Sequence, residues 1–224
     1  MFNSKKAVAL MFYLQVGAVG AEMVTPDAGT GVVPRACVEC HGRDGGGVTP
    51  DIPNLDGQLH SYLIESMDLL KVGLRPTAVD NHLPPDITPE QIRQIADHYS
   101  RAVAPQLPES FDSSKIGEGR LIYSERCMHC HEDNGRETDE RGLGSPFIAG
   151  QKMSYLRTQM LAYLKRERDY LIFMKEHVFA GRPIVINGHP IRGSIGRLSA
   201  SDIEALTHFL GSVSPRKAGG RKRR

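Results

Sequence analysis

Apolar residues recur at helical spacing through most of this chain. Ile92, Ile95, Ala96 and Tyr99 share one helix face. That helix opens at Thr88-Pro89-Glu90-Gln91, where Thr88 suits the N-cap and Pro89 the first turn. Ser199-Ala200-Ser201-Asp202 opens a second helix of the same kind, continued by Ile203 and Leu206. Middle helices are predicted over residues 59–71 and 153–166. Another covers 116–130, with Ile116, Leu121, Ile122 and Tyr123 on its apolar side. Stretches 42–54 and 134–146 are rich in Gly and Pro and read as loops. The pattern predicts an all-α chain.

The helical pattern occurs twice. Leu55-Asp56-Gly57-Gln58 with Tyr62-Leu63 matches Ile148-Ala149-Gly150-Gln151 with Tyr155-Leu156 at an offset of 93, and the two capped helices match at 111. The second copy therefore holds 18 extra residues between Arg168 and Leu198. About 200 residues behind a leader suit two domains. The expected division is 1–21 as a signal peptide, 22–104 and 105–213 as domains, and 214–224 as a basic tail without fixed structure.

The repeat carries the chemistry. Cys37-Val38-Glu39-Cys40-His41 and Cys127-Met128-His129-Cys130-His131 contain all four cysteines of the chain. Cys-x-x-Cys also occurs in zinc half-sites, redox dithiols and local disulfides. None of these needs a histidine directly after the second cysteine in both copies. Cys-x-x-Cys-His is the attachment site of c-type haem: two thiols add to the haem vinyls and the histidine takes the iron. The reading is two covalently bound haem c groups, on Cys37 and Cys40 and on Cys127 and Cys130, with His41 and His131 as proximal iron ligands. A covalent haem also supplies apolar volume to domains of about 90 residues that lack tryptophan.

Compartment and charge agree with this. Lys5, Lys6 and the apolar run 7–19, followed by Val19-Gly20-Ala21, read as a secretory signal, and the run is short for a membrane span. The expectation is a periplasmic protein with no stable membrane span. Of the net +2, the tail holds +6 and the first residues +2, which leaves −6 for the body. Nucleic acid is not an expected partner in that compartment. The basic tail reads as a solvated end or a docking element.

The chain resembles tandem di-haem class I cytochromes c over nearly all its mature length. The resemblance rests on Gly42-x-Asp44-Gly45, Pro50 or Pro53, and Gly57-Gln58-x-x-x-Tyr62-Leu63. The second copy is most similar to the haem subunit of flavocytochrome c sulfide dehydrogenase, through Ser110-Phe111-Asp112, Ala149-Gly150-Gln151 and Lys165-Arg166-Glu167-Arg168. The resemblance implies two tandem class I cytochrome c domains, each wrapped around its haem. It implies Met174 as the distal ligand of the second haem, with His189 in the inserted Gly188-His189-Pro190 turn, or His177, as alternatives. Pro50 or Pro53, and Pro146, would supply carbonyls that orient the proximal histidines. The first copy departs from the family: no methionine lies between Arg75 and Thr88. Met67 and Met160 share a position in the middle helices and read as core. His82 is then the distal candidate of the first haem; its competing reading is a solvated loop residue.

The function expected is one-electron transfer along two haems, with a redox partner protein. The resemblance makes that partner a sulfide-oxidising flavoprotein. The alternatives are a free-standing carrier to a terminal oxidase, a haem enzyme such as a thiosulfate dehydrogenase or peroxidase, or a gas sensor. No nucleophilic triad, phosphate loop or carboxylate pair points elsewhere.

Overall fold

The structure is a computed structural model and describes residues 33–77, 79, 82–103, 109–132, 135–136, 145–168, 170–192 and 195–214. The signal, residues 215–224 of the basic tail and residues 104–108 around the expected domain boundary lie outside the described residues.

Two helical units follow one another. The first contains α1 (Arg35–His41), α2 (His60–Lys71) and α3 (Pro89–Arg101). The second contains α4 (Ser113–Arg126), α5 (Met128–His131), α6 (Met153–Lys165) and α7 (Ala200–Ser212). Both capped helices form as expected. Thr88 with Gln91, and Ser199 with Asp202, make full capping boxes.

Each unit has its own core. In the first, Leu63, Met67, Ile87, Ile92, Ile95, Ala96 and Tyr99 are buried together. In the second, Tyr123, Leu156, Tyr163, Ile203, Leu206, Phe209 and Leu210 lead the cluster, and Met160 packs against it. Met67 and Met160 are thus core residues, as their shared position implies. Each fully buried large side chain of this kind contributes about 1.5–3 kcal/mol. Helices α4 and α7 cross closely because Gly119 faces Ala205 and Phe209: a Cβ there would lie 2.1 Å from the Ala205 carbonyl oxygen.

Three local expectations are corrected. The helix expected over 116–130 is two helices, because the chain turns at Cys127 (φ −112°, ψ −35°) and re-enters a helix at Met128. The added segment, between Arg168 and Leu198 of a chain expected to be all-α, is not helical throughout. It holds a π-helix (Met174–Phe179) and a two-stranded hairpin, β1 (Ile184–Ile186) and β2 (His189–Arg192). The turn of that hairpin is Asn187-Gly188, both with positive φ (50° and 79°), and His189 starts the second strand. Asn-Gly directly after the β-branched run Ile184-Val185-Ile186 is a strong hairpin signal, and it outweighs the helical context.

The two units meet through their matching loops and middle helices. Gln58 donates its amide to the Phe147 carbonyl and accepts the Phe147 N–H, both at 2.9 Å. Gln151 does the same to Asn54, both at 2.8 Å. Gln58 and Gln151 are repeat equivalents, and so are Asn54 and Phe147. The contact is therefore related by a pseudo-twofold, each copy holding the other by the same hook. Lys152 reinforces it, donating from a buried ammonium to the carbonyls of Gly47 and Thr49, 2.8 Å each.

Candidate haem sites and the surface between them

The two Cys-x-x-Cys-His motifs stand at matching places, one against each core. Cys37 and Cys127 are half-buried, Cys127 packs on the second cluster, and none of the four cysteines is in a disulfide. Among the described residues no group of three or more His, Cys, Asp or Glu side chains could hold a metal ion by themselves. A shared four-cysteine zinc site is therefore not assembled.

His131 is buried, and its Nδ1 lies 2.9 Å from the Pro146 carbonyl oxygen. That contact makes Nδ1 the protonated nitrogen and leaves the Nε2 lone pair available to a metal. Pro146 thus plays the part expected of it. His41 is buried in the same way, with the Pro53 carbonyl beside it, but its Nδ1 completes no hydrogen bond. Burial lowers the pKa of both rings, that of His41 to about 4, so both stay neutral, the form that binds metal.

The backbone after each histidine is pinned by a buried tyrosine. Tyr99 donates to the Gly42 carbonyl at 3.0 Å, and Tyr123 to the Glu132 carbonyl at 2.9 Å. Gly42 and Glu132 are repeat equivalents, but the tyrosines come from different helices, α3 and α4. Gly45 and Gly135 (φ 83° and 87°) then turn the chain so that their carbonyls accept from Leu55 and Ile148. A side chain at either would strike the backbone it faces, at 2.8 Å from the Asp56 nitrogen in the first copy.

The distal candidates separate. His82 belongs to the described part of its loop. Its ring centroid lies 6.0 Å from that of His41, with the planes tilted by 59°. Thr77 Oγ1 lies 3.1 Å from His82 Nδ1. Met174 opens the π-helix, half-buried against the same cluster as Cys127. The segment around it is fastened to the motif helix. Arg126, adjacent to Cys127, donates to the carbonyls of Val178, Ile195 and Gly196 at 2.8–3.0 Å. Glu176 pairs with Arg166 at 2.6 Å and Arg182 at 3.1 Å. His177 lies in the same π-helix, with Nδ1 3.2 Å from the Arg182 carbonyl oxygen. His189 is exposed on the hairpin.

Sequence reasoning missed a cluster between the units. Arg75 and Arg168 are buried, at 8% and 4% exposure, and are repeat equivalents at the offset of 93. Arg75 donates to Ser66 and to Tyr155, and stacks over Tyr62 at 5.6 Å. Arg168 donates to Gln159 at 2.8 Å and Tyr170 at 2.6 Å, and stacks over Tyr163 at 4.6 Å. Burial alone would raise the Tyr62 phenol, but the two guanidinium groups outweigh it and bring it down to about 8. Every partner named here is a hydroxyl, an amide or a ring, and none is a carboxylate. Among the described residues neither arginine bonds a carboxylate; buried cations are costly without one, so this surface suits anions. The repeat offset was the signal that could have found them.

Comparison with known proteins agrees with this geometry. Residues 116–214 match the cytochrome c family. The chain is 26% identical to cytochrome c4 of Stutzerimonas stutzeri over 92% of its own length and 98% of that protein. It is 39% identical over 67 residues to cytochrome c-554(548) of Halomonas halodenitrificans, covering 29% of this chain and 81% of that one. Its fold matches the reduced recombinant cytochrome c4 from Pseudomonas stutzeri with a TM-score of 0.62 at 24% identity, over 80% of this chain and 94% of that one. It also matches the thiosulfate dehydrogenase TsdBA from Marichromatium purpuratum, with a TM-score of 0.59 at 27% identity, over 85% of this chain and 38% of that one.

Proposed function

Because the chain belongs to the cytochrome c family, as a tandem di-haem electron-transfer protein similar to cytochrome c4, we propose that it is a periplasmic carrier passing single electrons between two partner proteins. The observation that carries the reading is the doubling of one site, Cys-x-x-Cys-His on a buried histidine, across a pseudo-symmetric contact. The haem groups, held covalently at the two motifs, supply a one-electron couple. The chain does the rest. His41 and His131, kept neutral by burial, would be the proximal ligands. The Pro146 carbonyl orients His131. Met174 would hold the second haem from the side opposite His131, and the Arg126 and Glu176 contacts fix its segment. Arg75 and Arg168 fit the carboxylates that a haem brings as propionates, which removes the cost of burying two cations. Neutral iron ligands and a packed shell on each side limit the rearrangement that accompanies a change of charge.

No helix among the described residues is long and apolar enough to cross a membrane. The signal-like first residues support export to the periplasm. The likeness to cytochrome c4 over 98% of that protein favours a free-standing carrier, serving for instance a terminal oxidase. A sulfide-oxidising flavoprotein remains the partner that the flavocytochrome c resemblance suggests, and gentle purification from the native host distinguishes the two. The expected result is a chain without bound flavin. The likeness to TsdBA supports a second reading, oxidation of thiosulfate by the chain itself. The test is the purified holoprotein with thiosulfate or sulfide as sole reductant. The carrier reading expects two haems per chain, reduced by dithionite and reoxidised by a protein acceptor, with no turnover of either sulfur compound. Steady turnover by the chain alone overturns it.

A further inference from the structure

We propose that His82 is the second axial ligand of the first haem, so that this site is bis-histidine while the second is histidine-methionine. The inference rests on the di-haem reading and specifies how its two sites differ.

The geometry is that of two imidazoles sharing one metal. A metal–nitrogen bond of about 2 Å, with each ring nitrogen about 1 Å from its centroid, puts two trans imidazole centroids about 6–6.5 Å apart. His41 and His82 are 6.0 Å apart. The ring nitrogens also suit the role. Thr77 Oγ1 accepts the Val79 N–H at 3.3 Å and faces His82 Nδ1 at 3.1 Å. An Nδ1–H donated to that oxygen leaves Nε2 unprotonated, the arrangement a ligating histidine needs. On the other side, the Pro53 carbonyl lies beside the His41 ring.

The competing side chains are accounted for. Met67, the one methionine among the described residues of the first unit, is buried in α2 against Ile92 and Tyr99. His98 Nε2 lies 2.6 Å from the Arg43 carbonyl oxygen, and His60 is exposed at the start of α2.

A histidine in place of methionine lowers a haem potential. A molecule holding one electron therefore holds it at the second site, and the first site is the donor side of the pair. One electron enters from an external one-electron reductant and none leaves, so the half-reduced state is well defined.

The test uses the purified holoprotein. Ferric spectra are expected to show two low-spin haems per chain but only one equivalent of the weak red band of methionine ligation. A potentiometric titration is expected to resolve two steps, and ascorbate to reduce one haem where dithionite reduces both. In His82→Ala one haem should become high-spin and bind carbon monoxide. Added imidazole should restore its low-spin spectrum, which separates a lost ligand from a misfolded unit. His82→Met should double the red band and raise the lower potential. Two equivalents of the band in the wild type, or a His82→Ala spectrum identical to wild type, would overturn the assignment. Either result leaves the haem count of two, and with it the carrier reading, intact.

Discussion

His131 and Pro146 show at single-residue scale how the chain prepares a ligand. One carbonyl at 2.9 Å selects the tautomer, and burial keeps the ring neutral. The motif itself was fully legible in the sequence, and so was the proline that orients it. Tyr99 and Tyr123 were less so. They hold equivalent carbonyls from non-equivalent helices, and no repeat alignment pairs them. Met174 was legible only through its place after Arg168, and the structure adds its contact with the core beside Cys127. Met174→Ala is expected to turn one haem high-spin and abolish the red methionine band, while His189→Ala leaves both haems unchanged. Absorption spectra of the two ferric variants check this. A spectrum altered by His189→Ala alone would move the ligand to the hairpin.

Among elements, the contact of α4 with α7 organises the second unit, and a glycine permits it. Gly119→Val would force the helices apart at the Ala205 carbonyl and cost about 1–3 kcal/mol, as overpacking does. The drop in Tm measures it, and an unchanged Tm would show that the helices do not pack this closely. Glu204 of α7 takes a two-pronged hydrogen bond from Arg157 of α6 (2.7 and 2.8 Å) and lies 4.0 Å from Lys115 of α4. That bond, opposed by partial burial, holds the Glu204 carboxyl below its usual range. The stability gained is present above the ordinary carboxylate pKa and is lost as pH falls through the lowered one. Glu204 is 31% exposed, so screening keeps the contribution below about 1 kcal/mol. Tm curves of wild type and Glu204→Gln are therefore expected to differ near neutral pH and converge in acid. A gap that does not change with pH would mean the carboxylate charge is not involved. The π-helix and the hairpin were not legible from helical periodicity. Yet the Asn187-Gly188 turn was there to be read, and the helical context masked it.

In the whole molecule the two units hook each other through Gln58 and Gln151, at equivalent positions and with equivalent partners. Replacing either by Ala leaves a half-buried peptide unpaired, at a cost of about 1–3 kcal/mol. The double variant is expected to lose the coupling between units, so that one thermal transition becomes two. Calorimetry decides, and an unchanged single transition would place the coupling elsewhere, for instance in Lys152. What the sequence determined by itself was local or repeated. The motifs, the capping boxes, the middle helices and the duplicated frame are all written in short spacings, because covalent attachment, capping and helix periodicity act over a few residues. Tertiary structure alone decided what lies between distant residues. It brought the His82 ring within 6.0 Å of that of His41, set the π-helix on the second core, and drew Arg75 and Arg168 into one buried surface. Those outcomes depend on how two packed units meet and where a loop returns, and no local spacing encodes that.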